Sequence, residues 1–296
     1  MTPSIGISIW SGLVAHTFPY LDQIVAPFDS IWLPDHVQYD DANVAEGWTL
    51  LTWALARYPD KICGHQVLCN SFRNPAHLAK MGATAHHLSG GRFVLGIGAG
   101  WNEGEYISYN WPFPKPSVRT AQLAEAIQII RAMWTASPAN FDGAHYQIHD
   151  AYCEPQPHPL PPVMVGGAGE KFTLRVVAEH ADWWNFIFQD VETYRHKQAV
   201  LKEHCLNVGR TYEEIEQALA VHLLLGESEA DVRRLQETEG VRAVSANGFA
   251  GTPEQVTERL LAGLAQGASR LIVGFADSPR VDSTQMFVEA VLPHLR

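Results

Sequence analysis

The chain has 296 residues, 46% of them apolar, with 21 Lys and Arg against 32 Asp and Glu. The formal charge of −11 argues against a nucleic-acid partner or an acidic membrane surface, since both need basic clusters. No apolar run reaches the roughly 18 residues of a membrane span, and no signal-peptide pattern opens the chain, so a cytoplasmic protein is expected. Cys63, Cys69, Cys153 and Cys205 include no C-x-x-C pair, so free thiols are expected and no metal site is read.

Strand-like and helix-like segments then alternate. Ser4–Trp10 reads as a first strand and Phe18–Ala26 as its helix. Ser30–Leu33 is a second strand, ending in Pro34-Asp35-His36, and Trp48–Tyr58 has apolar residues at helical spacing. Lys61–Leu68 reads as strand three. Pro75–Leu88 is predicted helical, with Pro75 in a first-turn position where its missing N–H costs nothing. Phe93–Gly98 is an unbroken apolar run, as expected of a parallel strand covered on both faces. Leu123, Ile127, Ile130 and Trp134 put one apolar stripe on a helix over Arg119–Trp134. Phe141–Tyr152 predicts a hairpin turning at Asp142-Gly143.

Val163–Gly166, Trp183–Ile187, Glu216–Leu225 and Arg270–Phe275 complete the predicted strands. Glu170–His180, Val191–Asn207, Pro253–Ala265 and Gln285–Leu295 complete the helices, and the region 226–250 is expected to hold helix seven plus an insertion. Eight strands alternating with helices imply an α/β protein of the (β/α)8 TIM-barrel class. Residues 1–296 read as one domain, with the insertion near its C-terminal part.

In such a barrel the site lies at the carboxyl ends of the strands. His36, at the end of strand two, can hydrogen-bond a ligand or move a proton near neutral pH; a loop histidine packed in the mouth is the alternative. Gly98, Ala99 and Gly100 leave bare backbone against which a ligand can lie. The run Gly96-Ile97-Gly98-Ala99-Gly100-Trp101 is not a dinucleotide fingerprint, because Trp101 stands where a glycine is required and no helix opens at once. Glu103 and Glu105 follow and read by default as solvated loop acids. A carboxylate at this rim can also act as an acid or hydrogen-bond partner, and Glu103 is the catalytic candidate beside His36. Asn70 is a candidate for a polar ligand edge or an ordinary turn residue. Gly166, Gly167, Ala168, Gly169 and Glu170 join strand five to a helix. Such a turn either holds an anion on free N–H groups or is a tight turn with Glu170 near the helix start. His86-His87 and Trp183-Trp184 read as structural.

Two blocks carry a family resemblance: NPAHLAKMGATAHHLSGGRFVLGIGAGWNEGEY from Asn74 and PPVMVGGAGEKFTLRVVAEHADWWN from Pro161, with Asp35-His36 ahead of them. Together they resemble the luciferase-like monooxygenases, and within them the branch usually called F420-dependent. The resemblance runs from about Phe28 to about Leu206 and returns at Gly251-Thr252-Pro253-Glu254 and the C-terminal helix. It implies an isoalloxazine-type cofactor in the barrel mouth, its phosphate near Gly166–Glu170, with Asp35 and His36 beside its reactive face. It also implies a bulge after strand three that backs the middle ring, often with a non-proline cis peptide. Aligned on Phe72-Arg73-Asn74-Pro75, that bond is Gln66–Val67.

Two departures matter. Bacterial luciferase has an arginine at the strand exit where this chain has Ala99, which weakens a luciferase-type FMN site. Some deazaflavin-dependent dehydrogenases carry a tryptophan shortly after the histidine; here Gln38-Tyr39 follows, which counts against a sugar-phosphate site. The resemblance implies an oxidoreductase transferring a hydride between F420 and a small organic substrate. The alternatives are an FMNH2/O2-dependent monooxygenase and a non-catalytic flavin-binding protein. A homodimer is the family default, and a separate cofactor reductase is the other protein partner the family allows.

Overall fold

Parallel strands bury both faces, so they can only be apolar runs with helices outside and a filled lumen inside. The computed structural model describes residues 2–9, 14–39, 41–238, 241, 244 and 248–296. Among them, eight parallel strands close into a barrel. They are β1 (Ser4–Ser8), β2 (Ser30–Leu33), β3 (Ile62–His65), β4 (Phe93–Gly98), β5 (Val163–Gly166), β6 (Trp183–Ile187), β7 (Glu216–Leu225) and β8 (Arg270–Phe275). Each pairs with the next, and β8 pairs back onto β1.

The (β/α)8 expectation holds, and β2 and β4 to β8 have their expected bounds. Strand one ends at Ser8; Trp10, its expected end, lies outside the described residues. Strand three does not run through to Leu68. It stops at His65, a bulge follows, and Leu68–Cys69 resumes pairing with Ile97 and Gly98 of β4. The helix after β5 begins at Thr173, not Glu170. In the turn ahead of it, Glu170 faces outward to Lys197 and His196 of the helix Val191–Val208. The hairpin pairs Ala139–Asp142 with Gln147–Ala151 through four residues rather than a two-residue turn at Asp142-Gly143. The carboxylate of Glu125 stabilises this longer loop by accepting from the N–H groups of Ala144, His145 and Tyr146. The 226–250 region carries the helix Glu229–Gln236 and a strand, Gly248–Gly251, that pairs with the upper half of β7.

Helix starts follow local chemistry. Asn74 accepts from the N–H groups of Ala76 and His77 ahead of Pro75–Leu88, and Thr252 and Gln255 form a reciprocal capping box for Pro253–Leu264. Alternate strand residues such as Ile5, Ile7, Ile31, Leu95, Val165 and Leu271 are buried against these helices. The other set faces the lumen, where Trp32, Val94, Met164, Trp183, Ala218 and Ile272 form a second apolar cluster. Each such fully buried large side chain contributes roughly 1.5–3 kcal/mol. At the lower end the Arg270 guanidinium lies 3.7 Å over the Trp183 ring and donates to Glu216. Toward the carboxyl ends the lumenal positions include Ser8, Gly96, Gly98, Gly166, Ala220 and Gly274, small residues that leave room in the mouth, together with Asn185, Ile187 and His222.

Candidate active site

A cavity of about 360 Å³ opens over the exits of β2 to β6. Its walls come from Pro34 to His36, Gln66 to Cys69, Gly98 to Asn102, and Gly166, Gly167, Asn185 and Ile187.

The β3 bulge forms one side. The Gln66–Val67 peptide is cis, at the bond the family resemblance indicated. The chain there passes so close over β4 that a Cβ on Gly96 would stand 1.8 Å from the His65 carbonyl oxygen. The Val67 side chain then rests on Gly98 and Gly166, where an added Cβ would come within 2.8 and 2.7 Å of it. Those glycines are therefore needed for close approach, not for their own conformation.

The adjoining β2 exit forms the next side. Asp35 is enclosed. Its carboxylate accepts from Arg73 at 2.8 and 2.9 Å and from the Cys69 N–H at 2.8 Å, so it ties the β2 exit to the β3 exit. Arg73 also meets Glu46, which caps the helix Gly47–Arg57. Burial works against the charge of Arg73, but the two carboxylates outweigh it and hold the guanidinium above its ordinary value. Asp35 lines the cavity with both its oxygens already engaged by the protein.

His36 is buried, and its Nδ1 lies 2.8 Å from Glu105 Oε2. The other oxygen of Glu105 accepts from the N–H groups of Val37 at 2.8 Å and Gln38 at 3.3 Å. Burial raises the Glu105 carboxyl, but His36 and these N–H groups outweigh it and hold it below its ordinary value. An ionised carboxylate can only accept, so Nδ1 of His36 carries a hydrogen. In the neutral ring Nε2 is then the basic atom. The geometry is that of an imidazole oriented by a carboxylate, an arrangement suited to proton transfer.

The structure separates the two acids of the β4 exit. A short helix, Glu103–Ser108, forms where a loop was expected. Glu103 is exposed and does not line the cavity, whereas Glu105 is buried and reaches His36. Gln66, Val67, Gly98, Ala99, Gly100, Gly166 and Gly167 line the cavity with His36 and Asp35. Asn70 does not; its amide nitrogen is 3.4 Å from the Tyr146 hydroxyl. Ala168, Gly169 and Glu170 lie beyond the lining, and the Glu170 carboxylate faces the helix Val191–Val208.

Residues not singled out from the sequence complete the site. Trp101, 65% exposed, and Tyr39 stand edge-on to the His36 ring, with centroids 6.0 and 5.1 Å away. An indole thus comes to His36 from the β4 exit rather than from shortly after it in sequence. Thr173 and Asn185 add polar groups at β5 and β6. No group of His, Cys, Asp and Glu among the described residues could hold a metal, and none of the described helices is long and apolar enough to cross a membrane.

Residues 26–272 match the family model of the luciferase-like monooxygenases. The chain belongs to that family. Among luciferase-like relatives, an F420-dependent glucose-6-phosphate dehydrogenase of Kineococcus radiotolerans is 26% identical over 275 residues, covering 90% of this chain and 81% of the relative. The pyrimidine monooxygenase RutA of Acinetobacter baylyi is 33% identical over 156 residues, 51% of this chain and 40% of that protein. The solved structure of an F420-dependent secondary alcohol dehydrogenase in complex with an F420-acetone adduct has a TM-score of 0.84 over 100% of both chains, at 19% identity, a likeness of fold.

Proposed function

We propose that the chain is an F420-dependent oxidoreductase that transfers a hydride between the deazaflavin and a small organic substrate. The observation that carries the reading is the His36–Glu105 pair lining the same open cavity as the Gln66–Val67 bulge. The relatives named for F420 chemistry support it. The residues fit such a group. Val67 backed by Gly98 and Gly166 offers a flat apolar support for a ring, and the buried Oε1 of Gln66 has no hydrogen-bond partner among the described residues. Gly167 and Thr173, at the start of the helix Thr173–His180, would hold the phosphate.

F420 supplies a ring carbon that carries a hydride and reacts poorly with O2. The chain supplies binding and orientation. His36, held by Glu105, exchanges the proton of the substrate oxygen at Nε2. Glu105 stays ionised and keeps the ring in place, and Asp35, through Arg73 and the Cys69 N–H, ties the β2 exit that carries His36 to the β3 exit that carries the bulge.

The second reading, an FMNH2/O2-dependent monooxygenase, is favoured by the monooxygenase relative. Titrating both cofactors and following O2 consumption decides between them. We expect tighter binding of F420 than of FMN and no substrate-dependent O2 uptake. Tight FMN binding with coupled O2 uptake overturns the F420 reading. A homodimer is part of the same proposal and is checked by sedimentation.

A further inference from the structure

The cavity is bounded by five consecutive strand exits, β2 to β6. The remaining three strands, β7, β8 and β1, close the circle. The register places His222 of β7 beside Gly274 of β8, and Gly274 beside Ser8 of β1. All three belong to the lumenal set, since Ala218 and Ile272, lower on the same faces, sit in the lumenal cluster. Contacts agree: a Cβ on Gly274 would stand 3.1 Å from His222 Cδ2 and 3.4 Å from the Ser8 carbonyl oxygen.

His222 is unusual for its place. Val221 and Leu223 on either side are buried, yet His222 is exposed in mid-strand. An imidazole turned inward in a barrel and still exposed must face the open mouth. On β7, β8 and β1 the lumenal positions at this register are His222, Gly274 and Ser8, so among these described strand residues His222 carries the large polar side chain. Its ring can donate and accept one hydrogen bond, which an aliphatic wall cannot.

We infer that His222 is a specificity-determining residue that contacts substrate, hydrogen-bonding a polar group beside the carbon that gives or takes the hydride. The strip over Ser8 and Gly274, between His222 and the β2 exit that carries His36, is the substrate floor. The favoured substrate class is a small alcohol with a second hydroxyl, or the corresponding hydroxyketone. His36 serves the oxygen on the reacting carbon and His222 serves the other. This inference rests on the proposed F420 chemistry.

The test uses the F420-loaded protein and two probes that differ by one hydroxyl, propane-1,2-diol and 2-propanol. Cofactor binding is followed by F420 fluorescence, and turnover by loss of F420 absorbance. The parent should prefer the diol in kcat/KM by about three- to tenfold, the range of one net hydrogen bond. His222→Ala should bring the ratio near one through KM, with kcat and F420 affinity little changed. His222→Gln, which keeps a donor and an acceptor, should recover part of the preference. Gly274→Ala, whose methyl presses on the imidazole, should reduce it without touching the histidine. A parent that does not bind F420 sinks the underlying reading and this inference with it. A parent that binds F420 but is reduced by neither probe, or shows no preference, overturns the substrate class. A preference unchanged in His222→Ala and Gly274→Ala overturns the role of His222.

Discussion

Around Trp32 the barrel lumen is filled; toward the carboxyl ends several of the same strands present glycine or serine instead, with Asn185, Ile187 and His222 as the larger lumenal side chains. The lower part has Trp32, Val94, Met164, Trp183 and Ile272 packed together, closed underneath by Arg270 on the Trp183 face. The upper part has Ser8, Gly96, Gly98, Gly166 and Gly274 beside Asn185, Ile187 and His222. The lumenal side of the mouth is therefore held less by packing than the lower part, although Tyr106 packs against Phe72 and Phe113 at the β4 exit. Directed bonds add to this, Asp35 to Arg73 and Glu105 to His36, as does the bulge that presses Val67 onto two glycines. Stability and chemistry are divided by height along single strands, so substitutions only a few residues apart should act on different observables.

The largest expected effect is on turnover. His36→Ala removes the group placed for proton transfer and should lower kcat by about 10²–10⁴, with only a modest fall in melting temperature from the lost bond to Glu105. Full turnover with F420 bound would refute the role of His36, and a large fall in melting temperature would mean that the mouth is also part of the packed core.

Next in size are two stability effects. Trp32→Ala empties the lower lumen and should cost about 3–5 kcal/mol in denaturant unfolding. Asp35→Asn tests whether a mouth residue can be as structural as a core one. It leaves the Arg73 guanidinium short of its buried partner and should also cost about 3–5 kcal/mol. A cost near zero for Asp35→Asn would show that the loop does not depend on this pair.

The same division explains what could be read from the sequence. Strands such as Phe93–Gly98 and Val163–Gly166 are legible because two covered faces demand an unbroken apolar run. The break at Gln66–Val67 leaves no composition signal, and only the family resemblance located it. Choosing Glu103 over Glu105 could not be avoided without the helix Glu103–Ser108. Residues two apart on a helix point about 200° apart, so one acid reaches His36 and the other faces water. His222 lies on a predicted strand, but its exposure is set by Gly274 and Ser8, far away in sequence, and no local pattern records that.

A smaller effect should appear in acid. Because Glu105 is held below its ordinary value in the fold, its stabilisation is complete above the ordinary carboxylate range and is lost as pH falls through the lowered value. Melting temperature followed between about pH 3 and 6 should fall less steeply in Glu105→Gln than in the parent. Parallel curves would mean that the bond to His36 does not stabilise the fold.

The smallest effects distinguish the two faces of one turn. Gly167 lines the cavity with φ of +127°, while the Glu170 carboxylate, three residues on, faces away toward His196 and Lys197. Gly167→Ala measures the strain of a side chain at that φ, a matter of about 1–3 kcal/mol. Gly167→Asp adds a negative charge where the phosphate is placed, so it should weaken F420 binding beyond the alanine variant, and the excess should shrink as salt is raised. Equal affinity of the two variants at low salt would move the phosphate elsewhere. Glu170→Gln removes only an exposed ion pair, and such pairs contribute little. Its melting temperature and F420 affinity should match those of the parent. A clear loss of F420 affinity in Glu170→Gln would show that the outer face of the turn positions the inner one, and the separation between the lining of the mouth and its support would then be drawn one layer too far in.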